Sequence, residues 1–528
     1  MKALSVLYGG RLGPEAFETL PQAIESGVNT AFSMALNAAL RFPGIQKTVI
    51  LGLEGKEYPQ KVSENIVWSL RPSWTKKSLL EELSRLSVGY DFAYFAWADC
   101  PLLDPDLAGA LADRHIRYAA EYSYADGWPC GFAPELIAPE TAGILSKLIK
   151  DDDGPVERDA LFSVIQKDIN AFDIETEISP VDLRQYRLSL TADSKRNLLL
   201  LSRFMQAGIS AAPQSEIFIR DRQEQLRTLP AFFGIQVSGA CPQACPICPW
   251  PGFGEANGVP VTARKDFMPK EAFTGLLDRI VEFAGDAVID LSLWGELALH
   301  PDRVELAEMV LARPALSLVI ETSGIGWKPD ELKALAASAS KAEPRKNLLA
   351  PLSWIVSLDA HDPLRYREVR GPGFAEACAC AKTLLELFPR DAYVQAVRVK
   401  GFEDDIEQFY RSWKGEGQAD GRHIIIQKYD DFAGTLPKMQ ASDLSPVKRR
   451  PCWHIQRDMN ILLDGSVPCC REDLGALKGK GSRNILGNVF SDDLSAIWKR
   501  GEAVYKEHCA LVYEGICAGC DEWYTFNF

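Results

Sequence analysis

Cys241-Pro-Gln-Ala-Cys245-Pro-Ile-Cys248 decides how this chain is read. The CxxxCxxC spacing puts three thiols on one short loop, and three thiolates supply an iron–sulfur cluster with three of its four ligands, leaving one iron open for chemistry. A closed structural zinc site takes four protein ligands, usually as paired CxxC units, and a two-cluster ferredoxin needs a longer cysteine run. The loop follows Phe232-Phe-Gly-Ile-Gln-Val237, an apolar run that reads as a strand. The cysteines are therefore expected at the C-terminal end of a first barrel strand, where α/β sites are built.

The 528 residues suit about three domains, each able to bury a core. A balance of 58 basic against 72 acidic residues gives a formal charge of -14, which repels nucleic acid and anionic membrane surfaces. The basic cluster Lys448-Arg449-Arg450 reads as a solvated loop. The apolar run in Met1–Tyr8 is too short for a signal-peptide core and no later stretch approaches ~20 apolar residues, so a cytoplasmic protein without a membrane partner is expected. Thirteen cysteines in such a chain argue for metal or redox chemistry, because the cytosol keeps thiols reduced. Three lie in the central loop and six between Cys452 and Cys520, while Cys100, Cys130, Cys378 and Cys380 read as core or incidental thiols.

The first ~200 residues alternate strand-like and helix-like segments, the pattern of a largely parallel sheet. Lys2–Tyr8, Lys47–Leu53 and Phe92–Trp97 read as strands, and Ala98-Asp99-Cys100-Pro101 places a carboxylate at the C-terminal edge of the third, where a metal-bound nucleotide can sit. Residues 209–230 are polar and proline-bearing and read as a linker, part of it helical at Arg220–Arg227. Beyond it, Phe232–Val237, Ala287–Leu293, Leu316–Glu321, Trp354–Leu358, Ala392–Val399 and His423–Gln427 read as six strands separated by helices, an open partial barrel rather than a closed one of eight. Their C-terminal ends carry Ser292-Leu293-Trp294-Gly295-Glu296, Glu321-Thr322-Ser323-Gly324 and Ser357-Leu358-Asp359, followed by Tyr366 and Arg370.

The cysteine loop and these strand ends resemble the radical S-adenosylmethionine (radical SAM) enzymes. The resemblance implies a [4Fe-4S] cluster on Cys241, Cys245 and Cys248. It implies that Gly295 and Glu296 receive the methionine ammonium of S-adenosylmethionine, with Ser323 in the family's Thr-Asn-Gly turn, Ser357 and Asp359 at the ribose, and Arg370 on the carboxylate; Arg398 is an alternative clamp. The first ~200 residues, through Asp99, Tyr124-Ala-Asp126-Gly127 and Leu190-Thr-Ala-Asp193, are similar to cytidylyltransferases of the nucleotide-diphospho-sugar transferase fold, which would make Asp99 and Asp193 a magnesium-binding pair beside a nucleotide. Their phosphate loop is altered here: Tyr8-Gly9-Gly10-Arg11-Leu12-Gly13-Pro14-Glu15 is followed by acids and lacks the expected lysine. The tail pattern Cys452, Gly465, Cys470, Cys517-Ala-Gly-Cys520 resembles the SPASM or shorter twitch extension and implies one auxiliary iron–sulfur cluster on these four cysteines, with Cys469 and Cys509 left over; a zinc site uses the same ligands. The three parts together resemble the spirochaete-type SPASM proteins.

The expected organisation is α/β throughout: a nucleotidyltransferase-like domain over 1–208, a linker over 209–230, a radical SAM core with a partial (β/α)6 barrel over 231–440, and a small cysteine-rich cluster-binding domain over 441–528. The expected activity is reductive cleavage of S-adenosylmethionine to a 5'-deoxyadenosyl radical that abstracts hydrogen from a peptide or protein, or from a sugar nucleotide or glycan. Electrons would come from a flavodoxin- or ferredoxin-type donor. The alternatives are a nucleotidyltransferase with structural or sensory clusters and a non-catalytic iron–sulfur protein.

Overall fold

The computed structural model describes residues 1–21, 29–58, 65–149, 154–415, 421–473 and 485–525. The chain divides into two compact units, Met1–Thr228 and Leu229–Phe528, each mixed α/β.

Among the described residues, the first unit is built on a seven-stranded sheet: β1 (Ala3–Tyr8), β2 (Ile45–Leu53), β3 (Ile66–Arg71), β4 (Phe92–Trp97), β5 (Tyr122–Asp126), β6 (Glu135–Ile137) and β7 (Ile174–Ile178). The order is β3-β2-β1-β4-β6-β5-β7, with β6 antiparallel to both neighbours and the other pairs parallel. β1 and β4 are buried at every position, as unbroken apolar runs must be when helices cover both faces. The Asp104 side chain caps the helix Pro105–Arg117, accepting from the backbone N–H groups of Asp106 at 2.9 Å and Leu107 at 3.3 Å. Its other oxygen accepts from Ala212 N at 2.8 Å. The expected linker carries the helix Ala212–Asp221 and a following turn, and Ala212, Phe218, Ile219 and Leu226 are buried in the first unit's core.

The second unit holds a seven-stranded, all-parallel sheet among the described residues. Its strands are β8 (Phe232–Ile235), β9 (Ala287–Asp290), β10 (Leu316–Thr322), β11 (Leu352–Ser357), β12 (Ala392–Arg398), β13 (Ile424–Lys428) and β14 (Asp458–Ile461). They run β13-β12-β11-β10-β9-β8-β14, so β13 and β14 are the open edges. The six expected strands are present. The seventh comes from the tail: β14 pairs with β8, from Asp458 opposite Phe232 to Ile461 opposite Ile235. The cysteine-rich tail is thus not a body apart from the barrel, since it supplies one of the barrel's edge strands. Beyond β14, β15 (Ser466–Pro468) and β16 (Ile485–Asn488) form an antiparallel pair, and Arg279 of the helix Lys270–Ala284 donates to Asp492 O at 2.6 Å.

The period of two along a strand sorts this sheet into two faces. Phe233, Ile235, Ile289, Leu318, Ile320, Trp354, Val356, Val394, Met459 and Ile461 belong to the main core. The alternate residues Phe232, Val288, Val319 and Ile355 form a separate apolar cluster on the opposite, inner face, with Tyr393 and Ile425 against it. Two residues further along each strand, the inner face turns polar at Asp290, Glu321, Ser357, Gln395 and Asn460. This polar layer opens into the cavity described next.

Candidate active site

The cysteine loop leaves β8 and lines a cavity of about 220 Å³. Cys241, Cys245 and Cys248 share it with Gly295, Glu296, Ser323, Ser357 and Arg370. Eight further polar or charged residues line it: Gln243, Asp290, Ser292, Glu321, Thr322, Asp458, Asn460 and Arg471.

The loop is held by side chains that the sequence motif does not include. Gln243 donates from Nε2 to Tyr366 Oη at 3.1 Å and to Pro372 O at 2.9 Å, tying the loop to the segment after β11. Trp250 donates to Gly239 O at 3.1 Å and stacks on Phe253 at 4.9 Å and Trp294 at 6.3 Å between ring centres. With Val261, Leu293 and Leu462, these tryptophans form an apolar wall against which Cys241 and Cys248 pack. Burial pushes both thiols up to about 12, with Glu296 adding to the effect at Cys241 and Cys245 at Cys248. Thiols in that state ionise only when a metal takes the charge, as for buried metal ligands. Three thiols on one loop are a donor set suited to a soft metal.

The turn after β9 fits a ligand that must approach backbone. A side-chain carbon on Gly295 would sit 1.9 Å from Ser238 O, so only glycine brings the two segments this close. Trp294 stands at φ +48°, a left-handed conformation costly for a bulky residue, and its carbonyl accepts from Gln236 Nε2 at 2.7 Å. The tryptophan thus takes a backbone form usual for glycine while adding its ring to the apolar wall. Glu296 is 3% exposed and heavily committed. Its Oε1 accepts from Thr322 Oγ1 at 2.8 Å and Ala298 N at 3.2 Å, and its Oε2 accepts from Ser323 N and Oγ at 2.7 Å each. Glu296 and Ser323 therefore hold each other, and the carboxylate's first task is to lock the β9 and β10 ends together. Burial raises its pKa against the pull of these donors.

Arg370 sits at the cysteine end. It pairs with Asp359 at 2.8 Å, donates to Ser357 O at 2.8 Å and lies 3.7 Å from Cys245 Sγ. Burial works against its charge, but Asp359 and Cys245 keep its pKa above the ordinary value. Asp359 does not line the cavity: its oxygens serve Arg370 and Val397 N, the latter at 2.7 Å. Asp359, the expected ribose contact, thus orients Arg370 in this structure. Ser357 does line the cavity, donating to Glu321 Oε1 at 2.6 Å. Arg398 bonds Ser442 and is not part of the cavity lining.

The tail brings its expected cysteines together. Cys452 lies in an apolar cluster with Ile455, Tyr505 and Trp523, against which Cys469, Cys509 and Cys517 pack. Burial pushes Cys452 and Cys470 up and Cys520 up to about 12. Cys452 also feels the charges of Cys520 and Cys517, and Cys470 those of Cys452 and Cys520. Arg471, next to Cys470, lines the central cavity and pairs with Glu472 at 2.9 Å, so the two cysteine groups are connected through one residue.

In the first unit Asp99 and Asp193, the expected magnesium pair, are both engaged by Arg158. Its NH1 donates to Asp99 Oδ1 at 2.9 Å, and its NH2 to Asp99 Oδ2 at 2.6 Å and Asp193 Oδ2 at 2.7 Å. The guanidinium lies 4.4 Å from the centre of the Trp97 ring. A fixed cation thus stands between the carboxylates, where the family resemblance places a metal. The altered phosphate loop is packed onto aromatics: a side-chain carbon on Gly10 would lie 2.6 Å from Tyr8 Oη, and Tyr8 packs edge-on to Trp97 at 4.8 Å. Lys56, distant in sequence, donates to Leu12 O of this loop at 2.8 Å.

No family model matches the chain. Over 378 residues it is 37% identical to an uncharacterized protein of Treponema pallidum (strain Nichols), a match covering 70% of this chain and 98% of that protein. The chain belongs to that protein's family. Among solved structures, Streptococcus suis SuiB bound to precursor peptide SuiA is similar to this family member at 13% identity and a TM-score of 0.41, over 73% of this chain and 84% of SuiB. A cytidylyltransferase from Leptospira borgpetersenii serovar Hardjo-bovis is similar at 14% identity and a TM-score of 0.33, over 43% of this chain and 95% of its own. No helix among the family member's described residues is long and apolar enough to cross a membrane.

Proposed function

We propose that the protein is a radical SAM enzyme, with a [4Fe-4S] cluster on Cys241, Cys245 and Cys248 and an auxiliary iron–sulfur cluster on Cys452, Cys470, Cys517 and Cys520. The observation that carries this reading is one cavity lined by three buried-loop thiols, the Gly295 turn and the Arg370 guanidinium. When bound, the cluster and S-adenosylmethionine supply a 5'-deoxyadenosyl radical, with an electron from a flavodoxin- or ferredoxin-type donor, and that radical takes a hydrogen from substrate. The backbone of Trp294 and Gly295 offers carbonyl acceptors for the cofactor's ammonium, while Glu296 holds that turn against Ser323. Arg370 offers positive charge to the cofactor's carboxylate and is oriented by Asp359. Trp250, Trp294 and Phe432 exclude water from the sulfurs. The substrate is a peptide or protein, or a sugar nucleotide or glycan, in a cytoplasmic setting. Nucleotidyl transfer by the first unit loses ground because Arg158 stands between its carboxylates.

Anaerobic reconstitution tests the proposal. With dithionite and S-adenosylmethionine the full chain should release 5'-deoxyadenosine. The Cys241→Ala, Cys245→Ala, Cys248→Ala variant should release none while keeping the tail's iron. The Cys517→Ala, Cys520→Ala variant should lose roughly four iron atoms and keep the central cluster. No 5'-deoxyadenosine from a fully loaded, reduced wild type would contradict the enzyme, and loss of zinc instead of iron from the tail variant would replace the auxiliary cluster with a structural zinc.

A further inference from the structure

We propose that the deep end of the cavity, where Asp290, Glu321 and Asn460 converge, binds a primary ammonium group carried by the substrate. As a substrate site this rests on the radical SAM reading; as a cation site it does not.

The three residues lie on the inner face of β9, β10 and β14, directly above the apolar cluster of Phe232, Val288, Val319 and Ile355. Glu321 Oε1 is taken by Ser357 Oγ at 2.6 Å and Gln395 Nε2 at 2.8 Å, leaving Oε2 for a ligand. Asp290 Oδ1 accepts from Ser292 N at 2.9 Å and the Ser292 side chain also bonds this carboxylate, which keeps lone pairs for a ligand. Asn460 is 5% exposed and its side chain makes no hydrogen bond among the described residues. Gly234, its neighbour on β8, leaves it room, since a side-chain carbon there would lie 2.7 Å from Asn460 Oδ1.

Both carboxylates lack an ion-pair partner among the described residues, although cations and other acids line the same cavity. Arg370 is paired with Asp359 at 2.8 Å, Arg471 with Glu472 at 2.9 Å, and Asp458 is bonded to His454 at 2.6 Å. Both acids are partly withdrawn from water with no close ion-pair partner, Arg471 acting on Asp290 only from further off, and such groups collect where a ligand supplies charge. In keeping with this, burial and the neighbouring Glu321 push Asp290 up to about 6. The chemistry of the cation follows from the count of acceptors. The Asp290 carboxylate, Glu321 Oε2 and Asn460 Oδ1 are three, and a primary ammonium carries three N–H donors, whereas a hydroxyl carries one.

Calorimetry on the full, anaerobically reconstituted chain tests the site without turnover. n-Butylammonium should give saturable heat, and n-butanol and butyrate none. Asp290→Asn and Glu321→Gln should each weaken ammonium binding about tenfold or more, and Asn460→Asp, which adds a third acid and removes no contact, should tighten it. Nα-acetyl-lysine amide and methyl glucosaminide separate the sources, a peptide or an amino sugar, and heat from either supports the site. The proposal is overturned if neither gives heat, if butanol or butyrate binds as well as butylammonium, if Mn²⁺ binds there in its place, or if all three variants bind butylammonium as the wild type does. Such a failure beside normal 5'-deoxyadenosine release would remove this site and leave the enzyme standing.

Discussion

Gly295→Ala is expected to cut 5'-deoxyadenosine formation by about 100-fold or more and to lower the iron held by the central loop. The added carbon would lie 1.9 Å from Ser238 O and 3.3 Å from Ala240 O, both backbone atoms that cannot rotate away. Relief requires the β9 turn and the chain entering the cysteine loop to part, which breaks the 2.8 Å bond from Glu296 N to Ala240 O. Glu296 would then carry Ser323 and the β10 end with it, since one carboxylate holds both ends. Iron analysis and product quantification on the reconstituted variant check this. Activity within a few-fold of wild type would mean the turn does not shape the site.

Arg158→Ala is expected to destabilise the first unit by about 1–3 kcal/mol, between the values for a surface and a buried ion pair, since Asp99 is buried while Arg158 and Asp193 are partly exposed. Asp99 and Asp193 would be left facing each other without a counter-charge, and the Trp97 ring would lose its guanidinium. The effect carries a pH signature. Burial alone would raise Asp193, but Arg158 and Asn197 hold its pKa below the ordinary carboxylate value. Its stabilising contribution is therefore complete above the unfolded value of about 4 and is lost as pH falls through the lower folded value. Denaturant unfolding of wild type and variant should converge in acid and differ most near neutrality. An equal stability at pH 7 would show that the triad is not a structural lock.

The alternation of apolar strands and helices made the parallel sheets legible, and the cysteine spacing located the end of β8 because both signals are local. What the sequence hid is long-range. Arg158 lies 59 residues from Asp99 and 35 from Asp193, so neither the motifs nor the resemblance that paired the carboxylates pointed to it. β14 is four residues long and begins at Asp458, too short and polar to announce a strand. Asp290, Glu321, Gln395 and Asn460 each read singly as an ordinary strand polar residue; the shared inner face that gathers them appears only when strand register is known. Gly295 and Glu296 were found by motif, but the carboxylate's commitment to Thr322 and Ser323 depends on the turn after β10, which no spacing rule connects to it.

The central claim, a cluster whose open iron receives S-adenosylmethionine, is tested most directly by electron paramagnetic resonance on the Cys517→Ala, Cys520→Ala variant, where the central cluster is the one expected to remain. After reduction with dithionite, saturating S-adenosylmethionine should change the g values of its signal, and the further Cys241→Ala, Cys245→Ala, Cys248→Ala substitutions should abolish the signal. A signal that S-adenosylmethionine leaves unchanged, or one that survives loss of the three loop cysteines, would contradict the account.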